Sequence, residues 1–230
     1  NNAAKTRYMS GGQFAMPMVL RGPNGPAEYL AAQHSQAFQS FYAHVPGLKV
    51  CAPSTPHDAK GLLKTAIRDD NPVIFLEAEL MYSWKGDVPE DEYLIPLGEA
   101  AVRNEGSDVT ILGFSKPMRT IIEAAEQLEK RGISCDVIDI RSLRLLDEET
   151  VFNSVKKTNR VVVVDEAWPV ASYGSWLSSH ITRNCFDDLD APPELVAMED
   201  VPMPYNRELE KAACVGLDNI IKAVETVSYI

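Results

Sequence analysis

Residues 160–167 read RVVVVDEA, four consecutive valines between an arginine and an acidic pair. A strand with one wet face alternates apolar and polar residues. Four β-branched residues in a row need cover on both faces, as inside a parallel sheet. Parallel strands cannot be joined by tight turns, so helices must carry the chain back between them. The neighbouring sequence supplies those helices. DVTILGF, ISCDVIDI and ELVAME read as further strands. KPMRTIIEAAEQLEKRG, DEETVFNSVKKT, SYGSWLSSHITRNCF and LDNIIKAVETV read as helices between or after them. Ile121, Ala125 and Leu128 share one face of the first helix, and Gly132 stops it. The second helix is acidic at its start and basic at its end, as the macrodipole favours. In the last helix Leu217, Ile220, Ile221, Val224 and Val227 fall in register. The pattern predicts a doubly wound α/β domain over residues 98–230.

The first part of the chain repeats the β-α-β order. MPMVLR and LKVCAP are short strand candidates, and NPVIFLEAE is a buried one. Between the last two, STPHDAKGLLKTAIRDD opens with Ser54 or Thr55 as N-cap, Pro56 near the first helical position and Asp58 in the first turn. Leu62, Leu63, Ala66 and Ile67 form its apolar face. Residues 1–81 are therefore expected to be part of a second α/β domain with a parallel sheet. Residues 82–97 are acidic, hold two prolines after Trp84 and lack a clear period, and read as a linker. The opening NNAAKTRYMSGG reads like the inside of a helix that began earlier, which suggests a fragment or a processed chain.

The chain has 230 residues, 45% hydrophobic and 24% charged, with a net charge of −11. That charge disfavours nucleic acid and anionic membrane surfaces as partners. No apolar run reaches the roughly 18 residues a membrane helix needs, and nothing reads as a signal peptide. Cys51, Cys135, Cys185 and Cys214 are widely spaced without a CxxC pair, and are expected to be reduced thiols.

No GxGxxG, Walker A, HExxH or GxSxG motif is present. Of the four histidines, His57 is expected to sit at a helix start near the surface, His180 at the edge of an amphipathic helix, and His44 in a packing role. His34 differs: it follows the loop residues Gly22, Pro23, Asn24, Gly25 and Pro26 and lies among Gln33, Ser35 and Gln36. A histidine on such a loop is either a surface residue or a proton donor on a rigid scaffold, and the residues alone leave both open. In IRDDN (Ile67 to Asn71), helix-end carbonyls and the oxygens of Asp69 and Asn71 could hold a monovalent or hard cation, or form an ordinary solvated helix end.

The runs AAKTRYMSGGQ, VLRGPNG, AAQHSQAFQSFYAHVPGLKV, PSTPHDAKGLLKTAIRDDNPVIFLEAELMY, YLIPLGEA and DVPMPYNRELE resemble, in order and over nearly the whole chain, the β subunits of the pyruvate dehydrogenase E1 component. The resemblance implies that residues 1–81 are the C-terminal part of a pyrimidine-binding, transketolase-like domain. It also implies that 98–230 form a transketolase C-terminal-type domain. Family members carry an upstream segment, including the glutamate that contacts the thiamin diphosphate aminopyrimidine. By the same resemblance, His34 is the active-site histidine, a proton donor or transition-state stabiliser in transfer to the lipoyl group. The carbonyls of Met18, Ala66 and Ile67, with Asp69 and Asn71, match a structural K+ site. Asp190, in LDAP, matches a position that docks the E2 acetyltransferase. The implied cofactor is thiamin diphosphate with Mg2+, shared with an E1 α subunit, in an α2β2 assembly with a second β subunit. RGPNG, QHSQ and LEAELMY favour the pyruvate enzyme over branched-chain 2-oxo acid relatives. Acetoin-cleaving relatives and a non-catalytic assembly fragment stay open, and a transketolase or deoxyxylulose-phosphate synthase piece is disfavoured. A bacterial cytoplasm, a mitochondrial matrix or a plastid stroma would each suit the chain.

Overall fold

A computed structural model describes residues 1–229. The N-terminal residues form helix α1 (Asn2–Met9), and the chain then enters β1 (Val19–Pro23). After the long Gly/Pro loop come α2 (Gln39–Ala43), β2 (Lys49–Cys51), α3 (Pro56–Ile67) and β3 (Val73–Glu77). β1 and β2 both pair in parallel with β3. Thr55 caps α3, its hydroxyl accepting the Asp58 N–H at 3.0 Å, and Pro56 opens the first turn where its missing donor costs nothing. Leu62 and Ala66 turn into the core against Phe75. Ile67, expected on the same face, is 61% exposed instead. It is the last helical residue, beyond the reach of the sheet.

The second half runs β4 (Ala101–Asn104), β5 (Val109–Gly113), α4 (Pro117–Glu129), β6 (Cys135–Asp139), β7 (Ser142–Arg144), α5 (Glu148–Thr158), β8 (Val161–Asp165), α6 (Tyr173–Cys185), β9 (Glu194–Ala197), α7 (Arg207–Ala213) and α8 (Leu217–Ser228). Its sheet has the order β4-β6-β5-β8-β9, with β4 antiparallel and every other pairing parallel. The four valines of β8 are buried, as their lack of alternation required. Asp147 caps α5 by accepting the Thr150 N–H at 3.1 Å.

Three elements went unread in the sequence. β4 is a short edge strand, β7 has three residues, and α7 has seven, so none carries a periodic signal long enough to stand out. β7 leaves its own sheet and pairs antiparallel with β2, giving the first sheet the order β1-β3-β2-β7. The two regions therefore share both a sheet and a core: Val50, Ile74 and Leu76 pack in one cluster with Leu112, Phe114, Ile138, Leu143 and Tyr173. Residues 82–97 carry no strand after the short turn at Glu79–Ser83, yet they are more than a tether. Ile95 is buried in the α3 core, and its carbonyl accepts the Thr65 hydroxyl at 2.7 Å. The four cysteines are free thiols, three of them buried. No described helix is long and apolar enough to cross a membrane.

Candidate active site

The loop that carries His34 begins where β1 ends. Asn24 N–H donates to the Glu77 carbonyl at 2.7 Å, extending the β1–β3 ladder by one residue. The Asn24 side chain then closes the loop on itself. Its Oδ1 accepts the Phe38 N–H at 2.6 Å, and its Nδ2 donates to Gln39 Oε1 at 2.9 Å. Gly25, at φ +84°, donates to the Gln36 carbonyl, and a Cβ there would lie 3.4 Å from the Glu166 carboxylate. Glycine is the residue that tolerates both that φ and that approach. Three non-glycine residues beyond it, Glu28, Tyr29 and Ala31, also have positive φ. Strain of this kind persists only where surrounding contacts hold it. One such contact is the Tyr29 N–H donating to the Glu210 carboxylate at 2.8 Å. A single 3-10 turn, Ala32–His34, presents His34 to solvent. Its ring has no hydrogen-bond partner among the described residues, while the adjacent Ser35 is buried with an unpartnered hydroxyl.

Beneath this loop lies the topological switch point of the second sheet. β5 is flanked by β6 on one side and β8 on the other, so the chain winds away in both directions from the ends of β5 and β8. Ligands of open α/β sheets bind at such crevices beyond the carboxyl ends of the strands. At the carboxyl ends of β5 and β8 stand Ser115, Lys116, Asp165 and Glu166. Lys116 Nζ lies 2.6 Å from Glu166, and although burial lowers its pKa, the carboxylate outweighs burial and keeps the ammonium charged. Asp165 is fully buried. Burial pushes its carboxyl above the ordinary range, and bonds from Gly174 N–H and Gln39 Nε2, each 2.7 Å, offset this only in part. The Gln39–Asp165 bond ties the His34 loop to the far sheet. Sequence reasoning missed both residues. The only signal was an acidic residue closing an otherwise apolar strand.

The other predicted residues fall in separate places. Met18 and the segment Ala66–Asn71 come together: the Met18 carbonyl accepts Val73 N–H at 2.9 Å, and Met16 N–H donates to the Asp70 carbonyl at 2.8 Å. The carboxylate of Asp69 already has protein partners. Its Oδ1 accepts both the backbone and side-chain N–H groups of Asn71, and its Oδ2 pairs with Lys49. The Ile67, Asp69 and Asn71 carbonyls accept no hydrogen bond among the described residues, whereas the Met18 carbonyl accepts Val73 N–H and the Ala66 carbonyl accepts Asp69 N–H at 3.3 Å. Asp190 lies far from His34 on the opposite end of the sheet, 57% exposed, with Arg160 at 3.5 Å. His57 stacks on Tyr93, and His180 lies between Trp176 and Glu148. His44, expected to pack, is exposed, because α2 ends beneath it and leaves its ring on the rim of a groove.

A second buried polar cluster joins the two regions. Asp58 accepts from Arg103 and from Arg141, the latter at 3.1 Å. Asp139 accepts from Arg103 at 2.7 Å and from the Ser54 hydroxyl. Burial pushes Asp58 up, but the Thr55 hydroxyl and both guanidinium groups outweigh it and hold its carboxyl below the usual range.

Comparison with known proteins fits this architecture. Residues 1–85 match the family described as the transketolase pyrimidine-binding domain, and residues 98–220 match the transketolase C-terminal domain. The mitochondrial pyruvate dehydrogenase E1 component subunit beta of Dictyostelium discoideum is 51% identical over 232 residues, covering 99% of this chain and 65% of that protein. The Rickettsia felis subunit beta is 51% identical over 229 residues, covering all of this chain and 70% of the relative. The chain belongs to the pyruvate dehydrogenase E1 β-subunit family. The Rhizobium meliloti member is 48% identical, and this chain spans 50% of its length. This E1 β-family chain thus covers between half and seven tenths of these relatives. A solved split-gene transketolase, described as an inactive β4 tetramer, aligns over 99% of this chain and 74% of that one, with a TM-score of 0.74 at 21% identity. That likeness speaks for the fold alone.

Proposed function

We propose that the chain acts as the β-subunit polypeptide of a pyruvate dehydrogenase E1 component, in thiamin-diphosphate-dependent oxidative decarboxylation of pyruvate with acetyl transfer to a lipoyl group on E2. The observation that carries this reading is the E1 β-family identity over the full chain, joined to a solvent-facing His34 on a loop pinned over the switch point of the second sheet. Thiamin diphosphate, when bound, supplies the electron sink for loss of CO2 from a 2-oxo acid. This chain's contribution is to present an imidazole able to give or take a proton near neutral pH. Among the described residues no three His, Cys, Asp or Glu side chains converge as a metal site. Mg2+-diphosphate binding is assigned to an E1 α subunit in an α2β2 assembly with a second β chain. His34, open to solvent on its own chain, suits an active site completed at a subunit boundary. Asp190, beside the acidic residues Asp187 and Asp188, is assigned to docking a basic surface of E2.

Dye-coupled turnover by the full-length chain assembled with its α subunit tests the substrate. Pyruvate is expected to exceed 3-methyl-2-oxobutanoate by at least about tenfold in kcat/KM, the discrimination that extra methyl groups in a closed pocket typically give. Preference for the branched acid would overturn the pyruvate assignment.

The helix-end carbonyls of Ala66 and Ile67, with Met18, Asp69 and Asn71, are assigned to a structural K+ ion. At a hundredfold excess over its Kd, K+ is expected to stabilise by about 2.7 kcal/mol, roughly 5–10 °C in Tm. The comparison is with choline at equal ionic strength. A Tm indifferent to K+ would remove the cation from this site.

A further inference from the structure

The loop of residues 24–38 is strained at three non-glycine positions, yet it is held in one place by the second half of the chain. Two buried carboxylates do this. Glu210 takes the Tyr29 N–H near the tip. Asp165 takes Gln39 Nε2 at the base, across 126 residues of sequence. Gln39 is itself fixed at its other end, because its Oε1 accepts from Asn24, which clamps the loop's entry and exit. The chain of contacts is continuous: Gly174 N–H to Asp165, Asp165 to Gln39, Gln39 to Asn24, Asn24 to the backbone of Phe38 and to the end of β3. The side chains of Asp165, Gln39 and Asn24 are all buried. Among the described residues no charged side chain hydrogen-bonds to Asp165. Its neighbour Glu166 is engaged by Lys116, and the Tyr173 hydroxyl donates to the Leu143 carbonyl at 2.8 Å.

We propose that Gln39 is a positioning residue for His34, and that Asp165 is its anchor. The second sheet thereby sets the placement of the imidazole for transfer to the lipoyl group. The inference rests on the role of His34 given above. A buried amide bridge has one arrangement that satisfies it, since an unpaired carboxylate or amide in the interior is costly. Losing the bridge frees the base of a strained loop. A shift of about 1 Å at a reacting group can cost on the order of a hundredfold in rate.

The test uses the full-length chain assembled with its α subunit, thiamin diphosphate and a lipoyl domain. Two rates are measured, acetylation of the lipoyl domain and dye-coupled decarboxylation, together with amide hydrogen exchange over residues 25–38. In Gln39→Leu the ratio of acetylation to dye turnover is expected to fall about tenfold or more, with faster exchange across the loop. In Gln39→Glu one proton shared between the introduced carboxyl group and Asp165 restores the contact. Its ratio, relative to wild type at the same pH, should therefore recover as pH falls, while that of Gln39→Leu should not. An unchanged ratio with a protected loop would overturn the proposal, as would an equal loss of both rates. If Gln39→Leu fails to assemble, the pH response of Gln39→Glu decides, and a flat response overturns the proposal. His34→Ala separates the two readings. Normal acetylation in that variant removes the role of His34 itself, whereas impaired acetylation beside a normal Gln39→Leu removes only the bridge.

Discussion

Replacing His34 with alanine is expected to lower acetylation of a lipoyl domain by about 10²–10⁴-fold, the range over which a positioned proton donor contributes. Stability should barely change. The ring is exposed, packs against nothing that its loss would leave as a cavity, and has no hydrogen-bond partner among the described residues. Surface substitutions of that kind fall within about 0.5 kcal/mol. The variant therefore separates chemistry from folding: Tm within about 2 °C of the parent and a collapsed transfer rate. A Tm loss as large as that of a core variant would mean that the loop, rather than the imidazole, is what the residue supports.

The buried cluster at Asp58 and Asp139 gives the largest expected effect on stability. Arg103→Met removes a guanidinium shared by two fully buried carboxylates. Burial already pushes Asp139 above the ordinary carboxylate range, with Arg103 and Ser54 offsetting it only in part. Breaking a buried pair by removing one partner costs about 3–5 kcal/mol, roughly 6–20 °C in Tm for a chain of this size. Because the cluster joins α3 to β4 and β6, the loss should loosen the contact between the two regions. Asp58 and Asp139 act with opposite signs on the pH dependence, since the raised Asp139 favours folding as pH falls and the lowered Asp58 opposes it. The folded value of Asp58 lies below its unfolded value near about 3.9, so its stabilisation is present above that value and is lost as pH falls through the lowered folded value. Thermal melts from neutral pH down into the acid range check both points. A variant that melts with the parent at neutral pH would show that solvent already satisfies these carboxylates.

Local features were legible in the sequence. The valine run of β8, the Thr55 cap and the stop at Gly132 each act within a few residues, so their chemistry can be read along the chain. The Gly/Pro cluster announced a loop, and Asn24 within it looked like an ordinary turn residue. Its clamp on Phe38 and Gln39 needed the fold. The same holds for Gln39 with Asp165, 126 residues apart, and for the cluster of Ser54, Asp58, Arg103, Asp139 and Arg141, drawn from separate segments. Polar residues become partners when burial leaves them no water, and no local pattern records that. β7 escaped notice for a related reason: three residues have no period, and the strand owes its existence to the edge of β2.

The most direct measurement is lipoyl-domain acetylation from pyruvate by the full-length chain assembled with its α subunit, with thiamin diphosphate present or withheld. The account predicts acetylation that requires the cofactor, the α subunit and His34 together. Acetylation by the assembly without thiamin diphosphate, or none with every component present, would contradict it.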